Sequence, residues 1–69
     1  MTVRYVKLWK LLLDKKMKRT DLIDIAHISG NVLARMGKDE YVALESLEKI
    51  CRALKCDFGD IVEVSDERL

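Results

Sequence analysis

An all-α fold of five short helices is predicted by three observations. The chain has 69 residues, no proline and three glycines. Proline breaks helices and glycine punctuates them, so such a chain can be helical over most of its length. Its apolar residues recur at steps of three and four. The third observation is composition: 49% hydrophobic and 36% charged residues, with no low-complexity stretch, belong to a globular chain, not a disordered one. A chain this short builds one core and must use nearly every apolar side chain in it. One domain over 1–64 is expected, followed by a frayed polar tail, 65–69.

The elements follow from the apolar spacing. Tyr5, Trp9, Leu12 and Leu13, interleaved with Lys7, Lys10 and Lys15, give an amphipathic first helix, about 13 residues long. Leu8 and Leu11 widen its apolar arc, and Trp9 is assigned to the core. The basic run Lys15 to Arg19 marks a turn. A second helix over 19–26 carries Leu22, Ile23 and Ala26 inward, with Thr20 the better capping residue by chemistry. His27-Ile28-Ser29 is a short link folded back over the core. Ser29 then caps a third helix, 30–37, whose Val32, Leu33 and Met36 point inward and whose Gly37 is placed to end it in a left-handed conformation. In the loop 38–43, Tyr41 and Val42 are expected to tuck inward. The fourth helix has the clearest pattern, Leu44, Leu47, Ile50, Cys51 and Leu54. Asp57 caps a final short helix through Phe58, Ile61 and Val62.

Several function classes are excluded at this level. No apolar run approaches the roughly 18–20 residues that cross a bilayer, so no membrane span is expected. The start Met1-Thr2-Val3-Arg4-Tyr5 lacks the features of a signal peptide, and a cytoplasmic location is expected. Cys51 and Cys56, five apart, fit neither a disulfide framework nor a zinc site, and they read as small buried hydrophobes. No paired acid and base, metal cluster or phosphate loop can be found, so neither an enzyme nor a cofactor is expected. The lone His27 has no partner placed to make it a base or ligand and reads as a turn residue.

Charge is unevenly spread. The net charge is +1, yet residues 1–20 carry +6, residues 21–38 balance and residues 39–69 carry −5. Such a dipolar molecule can turn one face toward phosphates while the other repels them.

The diagnostic unit is 19–37: a short helix, a link of about three residues and a second short helix opened by serine, which is a helix-turn-helix arrangement. With Val32, Leu33 and Met36 inward, the outward face of the second of these helices is Gly30, Asn31, Ala34 and Arg35. At this point the run Leu22 to Leu54 resembles the Cro and lambda-repressor-like (Xre-type) helix-turn-helix family, in particular its minimal single-domain transcriptional regulators. The resemblance rests on Leu22, on Ile28-Ser29 in the turn, on Val32-Leu33-Ala34-Arg35-Met36 and Gly37-Lys38, and on Leu44 through Leu54. Tyr5 to Leu12 and Cys56 to Ile61 are similar to the same subgroup, so it covers about residues 3–64. His27 stands where that family usually has glycine, Gly30 where it often has a longer polar residue, and Ala43 where a Ser or Thr cap is common; Asp39 and Glu40 add negative charge just after the third helix.

The resemblance implies sequence-specific binding of double-stranded DNA, as a repressor, with helix 30–37 in the major groove. In that arrangement Ser29 and the free N–H groups beside it would meet a phosphate. Asn31 suits adenine and Arg35 guanine, while Gly30 and Ala34 share their face. Lys18, Arg19 and Lys38 would clamp flanking phosphates. The family's usual assembly is a two-fold homodimer, for which Leu11 and the segment 58–64 are available. A second reading is a protein-interaction module on the same fold, such as an antitoxin or adaptor, which Gly30, Asp39 and Glu40 favour.

Overall fold

The computed structural model describes residues 2–65. Along the chain lie β1 (Thr2–Arg4), α1 (Val6–Asp14), α2 (Asp21–Ile25), α3 (Gly30–Gly37), α4 (Leu44–Leu54), a 3-10 turn (Phe58–Asp60) and β2 (Glu63–Ser65). Among the described residues there are thus four α-helices and a two-stranded sheet. The expected fifth helix is only the 3-10 turn, and the fold is not purely helical. β1 and β2 pair antiparallel, with Thr2 opposite Ser65, Val3 opposite Val64 and Arg4 opposite Glu63. Ser65, assigned to the tail by sequence, therefore belongs to β2. The remaining tail residues, 66–69, lie outside the described residues.

One core joins every helix. Tyr5, Leu8, Leu12, Leu22, Ala26, Ile28, Met36, Leu47, Ile50, Cys51, Leu54 and Ile61 are buried together. The inward residues expected in α4 are there, except that Leu44, at its first position, is exposed. On α1 the buried stripe is Leu8 and Leu12, continued by Tyr5 just before the helix, whereas Leu13 is 75% exposed. Trp9 is only half-buried against the core.

α1 and α2 are shorter than the sequence suggests, while α3 has the expected bounds. α1 spans nine residues. Its carbonyls are closed by Lys16 N–H donating to Leu13 O and Met17 N–H to Leu12 O, both within hydrogen-bond distance, at 3.0 and 2.8 Å. This is a Schellman closure whose left-handed residue is Lys16, at φ 57°. α3 ends the same way, with Asp39 N–H on Met36 O, Glu40 N–H on Arg35 O, and Asp39 at φ 57°. Gly37, expected to be the left-handed residue, is instead the last helical one. α4 closes on Lys55, at φ 56°, and α2 on His27, at φ 58°. His27 is thus a turn residue as expected, and it holds the turn in a left-handed conformation. No glycine has positive φ among the described residues.

α2 starts later than 19 because the N–H groups of Asp21, Leu22 and Ile23 bond carbonyls three residues back, a tight turn in front of the helix. Thr20 makes no capping bond; the Asp21 carboxylate instead accepts from Lys18 N–H at 2.9 Å. Ala43 likewise offers α4 no side-chain cap, whereas Asp57 caps the 3-10 turn in a reciprocal box with Asp60. After α3, Val42 packs on the core as expected, but Tyr41 is 71% exposed. The inward place is taken by Tyr5, whose hydroxyl donates to Glu40 O at 2.7 Å and ties the start of α1 to the α3–α4 loop. Both cysteines are free thiols; Cys51 is buried, and burial pushes its thiol up to about 11, with Cys56 adding to the shift.

Two outcomes follow from these closures. Lys16→Gly relieves a left-handed side-chain clash on an exposed turn and should raise stability in a urea titration by about 1 kcal/mol. Tyr5→Phe keeps the ring in the core but leaves the Glu40 carbonyl without its donor, and should lower stability by about 1 kcal/mol in the same titration.

Candidate nucleic-acid interface

α2, the link Ala26–Ser29 and α3 form the helix-turn-helix. The link is tethered by Ile28, 5% exposed, and turned by left-handed His27. α3 then sits with Met36 fully buried and Val32 and Leu33 half-buried against the core. Its remaining side faces solvent. Gly30, Asn31, Ala34 and Arg35 are all exposed, as are Ser29 before the helix and Lys38 after it.

The amino end of α3 is built by Ser29. Its backbone is extended, and its hydroxyl oxygen accepts from Val32 N–H at 3.1 Å. That cap uses one of the first-turn N–H groups; those of Gly30 and Asn31 have no acceptor within the helix. They carry the positive end of the helix dipole. Gly30 is not imposed by packing, because a Cβ there would meet only Ile23 Cδ1 at 4.0 Å.

Two arginines of this region are held by neighbours instead of trailing in solvent. The guanidinium of Arg19 stacks 4.0 Å from the centroid of the Trp9 ring. It also lies beside α3, since a Cβ on Gly37 would come 3.9 Å from Arg19 Nη1. Trp9 thus packs against the core on one side and is a platform for a cation on the other. Arg35 pairs through Nε with Glu40 Oε1 at 3.5 Å, both side chains 48% exposed. Lys18 and Lys38 are exposed and form no ion pair among the described residues. Asn31 and Ala34 lie exposed on the open face, and the Asn31 side chain makes no hydrogen bond to the rest of the chain among the described residues.

Of the site residues expected from sequence, Ser29, Gly30, Asn31, Ala34, Arg35 and Lys38 lie along one helix and its ends, Arg19 comes beside the carboxyl end of that helix, and Lys18 is exposed in the turn before α2. Spacing alone did not point to the Trp9–Arg19 stack or the Arg35–Glu40 pair. Glu40 is five residues beyond Arg35, not the three or four of a helical pair, and only the Schellman turn brings it back. The Tyr5 phenol stands near the same pair: burial, then the charge of Asp39, push its titration above the usual range, and Arg35 pulls the other way. It stays a proton donor to the loop.

An open groove of about 520 Å³ lies elsewhere. It is lined by α1, the end of α4 and the 3-10 turn, with no residue from α2 or α3. No helix among the described residues is long and apolar enough to cross a membrane.

Comparison with known proteins bears on this geometry. Over 63 aligned residues the chain is 40% identical to an uncharacterized HTH-type transcriptional regulator, YozG, of Bacillus subtilis (strain 168), covering 83% of this chain and 71% of that protein. The crystal structure of the transcriptional regulator VanUg, Form II, superposes with a TM-score of 0.91 at 47% identity, covering 96% of this chain and 88% of that one. Residues 7–67 match the family described as the Cro/C1-type HTH DNA-binding domain. With the match running through the whole helix-turn-helix and α4, the chain belongs to the Cro/C1-type helix-turn-helix DNA-binding family.

Proposed function

We propose that the chain is a transcriptional regulator, acting as a repressor, that binds double-stranded DNA sequence-specifically with α3 in the major groove. The observation that carries the reading is the outer face of α3. It is solvent-facing, with a capped amino end whose first N–H groups have no acceptor within the helix, and it has Arg19 beside its carboxyl end and Lys38 directly after it. In this arrangement the N–H groups of Gly30 and Asn31 and the Ser29 hydroxyl receive a backbone phosphate. Asn31 reads adenine and Arg35 guanine at base edges. Gly30 and Ala34 let the helix approach closely, and Lys18, Arg19 and Lys38 neutralise flanking phosphates. Both relatives named above carry the description of transcriptional regulator, which supports the same reading.

Selection of bound duplexes from a random pool, followed by a salt series, tests this. The wild-type chain should enrich a defined sequence and bind it with a steeply falling affinity as salt rises. Arg35→Ala should cost about 1–3 kcal/mol at the preferred site and relax one base pair. Lys38→Ala should weaken all sequences alike and reduce the salt slope by about one unit. A flat salt response with no enriched sequence would favour the interaction-module reading, for which the exposed Tyr41 and Leu44 and the carboxylate of Glu40 beside α3 speak.

One domain touches few base pairs, so we also propose a two-fold homodimer through the segment 58–64, reading half-sites about 34 Å apart. Ile61 and Val62 are used within the chain, which leaves Phe58, 39% exposed, and Val64, 63% exposed, for a second copy. Light scattering at high protein concentration should give twice the chain mass of 8.0 kDa; a mass of one chain removes the dimer.

A further inference from the structure

We infer that Glu40 is a positioning residue for Arg35: its carboxylate forms an ion pair on the Nε side of the guanidinium, so that the two terminal nitrogens are presented, already oriented, to a single guanine. The inference deepens the DNA-reading function proposed above and rests on it.

Three observations place Glu40 for this role. Its backbone is fixed on both sides, by its own N–H donating to Arg35 O at 3.0 Å and by its carbonyl accepting from the Tyr5 hydroxyl at 2.7 Å. The carboxylate is therefore carried at a set distance from the α3 residue it meets, not on a wandering loop. Secondly, the contact is made to Nε, at 3.5 Å. An arginine fork has its donors in one plane, and engaging the Nε edge leaves the Nη1 and Nη2 edge free for an end-on bidentate contact with guanine O6 and N7. The pair with Glu40 is electrostatic, and no hydrogen bond from a guanidinium nitrogen of Arg35 to the rest of the chain is present among the described residues, so both Nη atoms are available. Thirdly, both partners are 48% exposed, and a pair so hydrated adds little to stability. What it does supply is restraint. Arginine has many rotamers, and a side chain held in place loses less freedom on binding.

A negative charge beside a DNA-binding face also repels phosphate, so a rival account exists in which Glu40 only weakens binding to every sequence. The two differ in what they change. Positioning acts on the choice of base at one position, while repulsion acts on all duplexes equally and on the salt dependence.

The test compares the full wild-type chain with Glu40→Gln and Arg35→Ala on the selected duplex and on a panel in which each base pair is changed singly, at two salt concentrations. Glutamine keeps the backbone groups that make the two fixing bonds and removes only the charge. At the base pair whose preference disappears in Arg35→Ala, the wild type should discriminate by about tenfold. Glu40→Gln should reduce that to about twofold, leave the other positions unchanged and leave the salt slope as it was. In the free protein, the ¹⁵Nε–H resonance of Arg35 should shift and show faster side-chain motion in Glu40→Gln. Equal strengthening on every duplex with ratios intact, or an unmoved Nε–H signal, would overturn the inference. A wild type without any base preference would overturn the DNA-reading function itself, and the Nε–H measurement, made without DNA, tells the two failures apart.

Discussion

Every helix among the described residues is too short to stand by itself. Isolated helices below about 12–15 residues are marginal in water, and the helices here have nine, five, eight and eleven residues. Their helicity depends on burying one edge of each in a shared core. Leu8 and Leu12, Leu22, Met36, and Leu47, Ile50 and Leu54 supply those edges, and Ile28 and Ile61 bring the connections inward. The helix-turn-helix is thus a product of the whole core. α3 can leave its other side open because Met36, with Val32 and Leu33 beside it, anchors it from within.

The connections follow from the same shortage of length. Each helix ends on a left-handed residue, and each of those is a lysine, a histidine or an aspartate, not a glycine. The strain is accepted because tight closure lets each helix turn back onto the core within a few residues. At α3 the closure has a second effect. It delivers the Glu40 carboxylate to Arg35, and the Tyr5 hydroxyl then fixes the loop from the opposite side. A device for ending a helix becomes a support for a side chain on the exposed face.

Charge is arranged with similar economy. The basic excess of the first 20 residues does not form a uniform patch. Arg19 is stacked on Trp9 near the carboxyl end of α3, while Lys18 and Lys38 remain open. The acidic excess is partly spent along α4, where Glu45 pairs with Lys49 and Glu48 with Arg52 at helical spacing.

Sequence alone determined the helix-turn-helix, the core face of α3, the helix α4 and the turn role of His27. These rest on periods and caps contained within one or two turns of chain, which local pattern encodes. It also marked the residues of the α3 face, because an outer face is what remains once the inner one is assigned. Tertiary structure alone decided the β1–β2 pairing, the exposure of Leu13 and Tyr41, and the neighbours of Arg19 and Arg35. Strands of three residues have too few alternations to signal themselves, and their partners are some sixty positions apart in sequence. The stack on Trp9 and the pair with Glu40 depend on where two turns aim their side chains. A change of one residue in either turn would move those groups by several ångströms, on the order of the rise of one extended residue, and no spacing rule in the sequence records that direction.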